Sequence, residues 1–335
     1  MSRCLKILLL IDVLFPVTRG YDFSEDFKTD EMKVYADIYR ALIENGHTVS
    51  VVGLYDSIEP LLAEIDQNCP DLVFNQADMF CRRSDMDKNI AALLELLGVR
   101  HTGADHGLLY LCNDKALSKT VLNLKRIRVP GFKVFYKGKK VRVSKRLRFP
   151  LIVKPLCEEA SRGISKGSFV QTREEFLDRV KFIHENMHKD AIAEEYVKGR
   201  EFYVSMLGRS KISVLPLREV KFLNVPDDEP TIATYRAKWD DEYRKKWGIK
   251  NVFAGKLSEG WEENIKKICK RAYRAMNIKS YARFDVRVAD EGDVYIIEAN
   301  ANPSLERDDE FVLSAHKAGI SYDKLIQRIV ELALC

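Results

Sequence analysis

Residues 281–302 read YARFDVRVADEGDVYIIEANAN, and this stretch decides how the rest of the chain is read. Two runs alternate apolar and polar residues on either side of Glu291 and Gly292, where a glycine suits a turn, and this pattern predicts a β-hairpin. A two-residue loop there would set Val288 opposite Tyr295, Val286 opposite Ile297 and Phe284 opposite Ala299 on one apolar face. The other face then carries Asp285 opposite Glu298 and Arg283 opposite Asn300. Two carboxylates facing each other across a strand pair repel. A divalent cation between them would remove that penalty. Carboxylate and amide oxygens without histidine or cysteine suit a hard ion such as Mg²⁺, with Asn300 as the third ligand. The alternative is a solvent-facing polar hairpin in which Arg283 and Arg287 neutralise the acids, and spacing alone leaves both readings open.

Working outward, a helix is expected over residues 259–277, ahead of the hairpin. The segment 224–258 is polar and aromatic without periodicity, and a loop of that length is usually a functional lid or disordered. Upstream, short strands are expected at 132–136, 151–154, 168–171, 191–196 and 202–207, with one helix at 173–186, which makes an α+β lobe. The first part alternates strand 7–13, helix 30–44, strand 48–54, helix 57–65 and strand 71–75, the pattern of an open parallel α/β sheet. A helix at 85–97 stops at Gly98, and Asp114 caps another running to about residue 124. The last helix, 322–334, carries Leu325, Ile326, Ile329, Val330 and Leu332 on its apolar side. It packs on its own core or on a partner.

The chain has 335 residues, 46% of them hydrophobic and 31% charged, enough for more than one domain. The apolar run 5–15 is short, contains Lys6 and Asp12, and lacks a small-residue cleavage site, so it reads as a buried strand and not as an export signal. No stretch approaches the roughly 20 apolar residues of a membrane span, which predicts a soluble protein with no membrane partner. Seven cysteines without a C-x-x-C pair fit a reducing cytoplasm. The formal charge of +5 owes much to residues 125–148, KRIRVPGFKVFYKGKKVRVSKRLR. That segment is read as a solvated β-hairpin around Gly138 that adds a field favourable to nucleotide phosphates; a nucleic-acid partner is not expected.

RFDVRVADEGDVYIIEANANP resembles the metal-binding end of the ATP-grasp ligases. LLELLGVRHTGADHGLLYLCNDKALSK resembles the signature of the D-alanine:D-alanine ligases, FPLIVKPLCEEASRGISKG their second lysine and phosphate loop, and AIAEEYVKGREF their adenine hinge. The four motifs keep their order over about residues 70–305. The resemblance implies an ATP-grasp fold, part α/β and part α+β, with an N-terminal open parallel-sheet (pre-ATP-grasp) domain. Residues 1–113 would form the substrate-side domain, 114–210 the central nucleotide lobe, and 211–335 the C-terminal lobe with the metal site and a closing loop. Lys115 and Lys154 would contact phosphates, and a loop with Glu158, Ser161, Gly163 and Ser165 would fold over them. The backbone of Glu194, Glu195, Tyr196 and Val197 would hold adenine, and Glu201 the ribose. Lys238, in the YRAKW segment, would reach the γ-phosphate. Asp285, Glu298 and Asn300 would hold two magnesium ions, with manganese as the alternative ion. Arg283 would stabilise the oxyanion. Taken singly, each has a plainer reading: a solvated helix lysine, a strand-end lysine, surface acids, and for Arg283 a salt bridge to Asp285.

The resemblance implies an ADP-producing acid–amino-acid ligase that forms a C–N bond through an acyl phosphate, acting on small carboxylate and amine substrates. Relatives are commonly dimers, so a homodimer is expected by analogy. Departures fall on the amino-acid pocket. The early glutamate motif is replaced by LFPVTRGYDFSEDFK, Ala160 stands for a family serine, Trp239 for a tyrosine, and ANPSLERDDEF lacks the anchor for a second substrate's carboxylate. Altered substrate choice with retained ligase chemistry is therefore expected. The alternatives are a genuine D-alanine:D-alanine ligase, an ATP-grasp kinase, and a nucleotide-binding protein without turnover. Arg82 and Arg83 are read as solvated, with contact to an acidic substrate as the alternative.

Overall fold

The computed structural model describes residues 4–143, 145–158, 161–226 and 229–335. The chain begins with β1 (Lys6–Asp12), α1 (Lys33–Glu44), β2 (Thr48–Leu54), α2 (Glu59–Asn68), β3 (Leu72–Gln76) and α3 (Asp87–Leu96). The three strands form a parallel sheet in the order β2-β1-β3. The central strand β1 is buried on both faces, which is why its sequence is almost continuously apolar. Two helices follow back to back, α4 (His106–Asn113) and α5 (Lys115–Leu124). Asp105 caps the first and Asp114 the second, each carboxylate accepting backbone N–H groups of the helix it starts. The sequence reading found only the second of these caps.

The middle of the chain supplies β4 (Phe132–Phe135), β5 (Leu151–Pro155), β6 (Phe169–Val170), α6 (Arg173–Asn186) and β7 (Ala191–Glu195). They make an antiparallel sheet in the order β4-β7-β5-β6, and α6 is fixed by a capping box between Thr172 and Glu175. Among the described residues the expected hairpin around Gly138 does not form. A turn brings the Lys139 N–H to the Tyr136 carbonyl, but the returning arm is irregular, because Val141, Val143 and Leu147 tuck into the core under α6 and do not pair with β4.

A second antiparallel sheet is built from β8 (Arg200–Leu207), β9 (Ser213–Val214), β10 (Arg218–Phe222), β11 (Ile249–Phe253), β12 (Tyr281–Val288) and β13 (Val294–Asn300). Its order is β11-β10-β8-β12-β13, with β9 paired to β8. Segment 224–258 is not the unstructured loop expected. Its described residues hold α7 (Tyr235–Trp239), α8 (Asp241–Trp247) and β11. Thr234 and Asp240 cap the two helices, and Gly248, at φ +60°, turns the chain into the strand. These elements are too short to show a period, and they are held by one aromatic cluster with Tyr203, Val220 and Phe222. Helix α9 (Trp261–Ala275) covers the far face of this sheet.

Two compensating shifts set the register of the β12–β13 hairpin. Its loop has three residues, not two: the Ala289 N–H bonds to the Asp293 carbonyl, with Gly292 at φ +90°. Val288 therefore pairs with Val294 and Val286 with Ile296, one position away from the expected Tyr295 and Ile297. A β-bulge next to Ile297 then takes up the extra residue. Beyond it, Asp285 pairs with Glu298, Phe284 with Ala299 and Arg283 with Asn300, as the sequence predicts.

The chain ends in α10 (Glu310–Lys317) and α11 (Tyr322–Leu334). Helix α11 returns to the first sheet and packs against α1 and β3. Leu325, Ile326, Ile329 and Val330 are fully buried there among β1 and α1 side chains, so the apolar face of α11 belongs to this chain's own core. No helix is long and apolar enough to cross a membrane.

Candidate functional site

Side chains alternate across the second sheet, and the face turned away from α9 carries Glu201 and Tyr203 on β8, Arg283, Asp285 and Arg287 on β12, and Arg218 on β10. Opposite this face lie the ends of β5 and β7. Between the two sheets is a cavity lined by Lys154, Ser161, the run Glu194 to Val197, Glu201, Lys238, Asp285 and Glu298. Its apolar wall is made by Pro130, Ile152, Ile164, Ile232 and Ile297. The bulge is the reason Ile297 faces the cavity and not the core. A larger cavity of about 790 Å³ adjoins it, sharing Ala233, Lys238 and Glu298, and continues past Arg283 and Asn300 to Asn75 on β3 and Asp78 just beyond that strand. A further opening of about 580 Å³, beside β2, shares no residue with either.

Buried charges are concentrated where the two cavities meet. Lys115 lies 3.0 Å from Glu298 and donates to the Glu158 carbonyl. One turn along α5, Lys119 is buried against Glu194 at 3.2 Å and donates to the Ile297 carbonyl; the other Glu194 oxygen is 3.2 Å from Lys154. Burial raises the Glu298 carboxyl, but Lys115, Lys154 and Lys238 outweigh it and hold the group well below the usual carboxylate range. The same contest at Glu194, burial against Lys119 and Lys154, also ends below the usual range. Burial brings the Lys119 ammonium down to about 8, partly offset by Glu194. Glu201 goes the other way: burial raises it, and Arg287, 3.7 Å away, only partly compensates.

At the hairpin, Arg283 makes a two-point contact with Asp285, 2.8 Å from Nε and 3.3 Å from a terminal nitrogen, and stacks over the Tyr203 ring. Burial works against its charge, and Asp285 more than offsets that, so the guanidinium is held above its ordinary range. Asn300 Nδ2 donates to Asp285 at 3.2 Å and to the Arg283 carbonyl at 3.4 Å, which commits the amide nitrogen and leaves Oδ1 as the atom it can offer a ligand. Among the described residues no three His, Cys, Asp or Glu side chains gather as a metal group. The donor set is two carboxylates and an amide, all hard oxygens, and it fits Mg²⁺ completed by water and phosphate oxygens. The plainer reading is also present, since each carboxylate already faces a cation, Arg283 or Lys115.

Most of the residues singled out from sequence converge here. Lys115, Glu158, Gly163 and Ser165 do not line the cavity, Lys115 being buried beside it against Glu298. The Glu158 carboxylate faces Lys189 at 3.0 Å, Gly163 packs near Met187, and Ser165 caps a short turn with Ser168. Ser161, at φ +60°, does line it and donates to the Ala233 carbonyl. Ala160 lies outside the described residues. Arg82 stacks on Tyr55, and Arg83 pairs with Asp85 at 2.8 Å; neither reaches the large cavity. Sequence reasoning missed Lys119, although its spacing of four from Lys115 puts both on one helix face. It also missed Arg218, buried in the large cavity and bonded to Glu310 at 2.6 Å.

The chain is similar in sequence and in fold to known proteins. The family described as D-ala D-ala ligase C-terminus matches residues 121–331. "Uncharacterized protein y4sG" of Sinorhizobium fredii is 29% identical over 319 residues, covering 90% of this chain and 87% of that protein. A D-alanine–D-alanine ligase of Francisella philomiragia is 28% identical over 301 residues, covering 88% and 90%. Among solved structures, the D-alanine–D-alanine ligase of Bacillus anthracis complexed with ATP superposes with a TM-score of 0.73 at 20% identity, covering 99% of this chain and 98% of that one. The VanG D-Ala:D-Ser ligase of Enterococcus faecalis gives 0.69 at 16% identity, covering 99% and 100%.

Proposed function

For a chain that belongs to the D-alanine:D-alanine ligase family of ATP-grasp proteins, we propose an ATP-dependent carboxylate–amine ligase that works through an acyl phosphate and takes substrates other than two free D-alanines. One observation carries this reading: a lysine-lined cavity for a nucleotide opens, at Glu298 and Lys238, into a larger cavity bordered by Arg283 and Asn300.

The roles follow from position. The apolar wall with Ile152, Ile232 and Ile297 takes the adenine beside the backbone of Glu194 to Val197, and Glu201 takes the ribose. Lys115, Lys154 and Lys238 orient the phosphates. Asp285, Glu298 and Asn300 would hold the magnesium ions, two by family analogy, with manganese as an alternative. A metal held by these three residues would supply neutralisation of charge on the transferred phosphoryl group. A substrate carboxylate attacks the γ-phosphorus, the bond to ADP breaks, and an amine then displaces phosphate from the acyl carbon. Arg283, held charged by Asp285, is placed to steady the oxyanion formed when the amine adds. Helix α7, which carries Lys238 and Trp239, closes over the junction and limits access of water to the acyl phosphate. A homodimer is carried from the family by analogy, and light scattering tests it.

The altered substrate choice rests on Trp239 and on residues 304–310, SLERDDE, where Glu306, Asp308 and Asp309 line the larger cavity beside Asn300. A pocket that leaves a buried polar group of D-alanine without its partner loses roughly 1–3 kcal/mol, about fivefold to 150-fold in affinity. Purified protein given Mg·ATP and D-alanine alone is expected to yield little D-alanyl-D-alanine, while another pair from a panel of D- and L-amino acids and amines yields a condensation product by mass spectrometry. Robust D-alanyl-D-alanine synthesis would instead make it an ordinary member of the family. A stable phosphorylated acceptor without an added amine would make it a kinase.

A further inference from the structure

We propose that Lys119 is a positioning residue of this site: its ammonium balances Glu194, so that Lys154 keeps a positive charge for nucleotide phosphates, and it ties down Ile297, the bulge residue that turns Glu298 toward Asp285. The assignment rests on the ligase reading above. Lys119 is 2% exposed, a costly place for an ammonium unless its partners repay the lost hydration. Those partners come from two other elements, Glu194 on β7 at 3.2 Å and the Ile297 carbonyl on β13.

The charge balance identifies what Lys119 does. Glu194 is also buried and offers one oxygen to each of two lysines, Lys119 and Lys154, both at 3.2 Å. Two cations and one anion leave the group with a surplus positive charge. Lys154 lines the nucleotide cavity and Lys119 does not, so the surplus is available to a ligand through Lys154. Without Lys119, Glu194 and Lys154 would form a closed one-to-one pair in a poorly solvated place, where such pairs are strong. An incoming phosphate would then have to compete with Glu194 for Lys154. The second contact acts on the other half of the site. Ile297 is the residue left over by the register shift, and Glu298, next in sequence, is returned by it to the position opposite Asp285. A donor fixed on that carbonyl holds the bulge in place.

The test measures Mg·ATP binding to the full chain by titration calorimetry, alongside the melting temperature and the KM for ATP in ADP release. Lys119→Met and the gentler Lys119→Gln are each expected to weaken Mg·ATP binding by at least about tenfold, the scale of one charge-assisted contact, with KM rising more than kcat falls. Adding Glu194→Gln to either variant removes the anion that Lys119 balanced, and binding is expected to recover in part, the remaining deficit measuring the lost hold on the Ile297 carbonyl. A loss of stability alone would not be corrected in this way. Folded Lys119 variants that bind Mg·ATP normally, or double variants that stay as weak as the single ones, would overturn the assignment. Failure of the unaltered protein to bind Mg·ATP would overturn the ligase reading and this proposal with it.

Discussion

Replacing Asp285 by asparagine is expected to lower ATP turnover by at least about a hundredfold while the protein stays folded. Outer-shell partners of a metal already cost about 10- to 100-fold when removed, and Asp285 lies directly opposite Glu298 at the proposed metal site. The substitution keeps one oxygen for Arg283 and removes the charge that an ion requires. Arg283 retains Asp309 at 3.9 Å and the Tyr203 ring, so the loss of stability should stay near 1–3 kcal/mol, the scale of an altered buried polar contact. Turnover and a urea unfolding curve on the same preparation check both halves. Full activity in Asp285→Asn would leave the hairpin as the plain polar ladder that its arginines permit.

Ile329→Ala should act in the opposite way, costing about 2–5 kcal/mol of stability and leaving nucleotide affinity unchanged in whatever fraction stays folded. Ile329 is fully buried among side chains of β1, α1 and α11, far along the chain from the strands that it covers. A shift in urea midpoint at unchanged m-value would record the loss. A shift below about 0.5 kcal/mol, the scale of a surface change, would mean that α11 is not part of this core.

The two variants mark what could be read from sequence. Residue pattern placed β2 and α6 to the residue, and the acidic face of the β12–β13 hairpin was placed correctly. That success depended on two errors that cancel, a loop one residue longer than expected and a bulge at Ile297, neither of which alternation can reveal. The apolar pairs of Val288 and Val286, which lie between the two, were therefore misregistered, while Phe284 beyond the bulge meets Ala299 as expected. Elements of five to seven residues such as α7, α8 and β11 escaped because their stability comes from capping and an aromatic cluster and not from any period. The partner of α11 was open for a related reason, since an apolar face shows that something covers it but not what. Among site residues, Lys115 and Lys154 came from motif order and Glu298 from the hairpin's alternation, whereas Lys119 and Arg218 are visible only once helix and strands are packed together.

The most direct test of the ligase account follows oxygen. Amino acids carrying ¹⁸O in the carboxylate are incubated with the protein and Mg·ATP, together with candidate amines, and the released phosphate is analysed by mass spectrometry. An acyl-phosphate ligase transfers one labelled oxygen to phosphate for each condensation product formed, in step with ADP. Product-linked ADP with unlabelled phosphate, or label retained in a phosphorylated acceptor with no amine added, would contradict it.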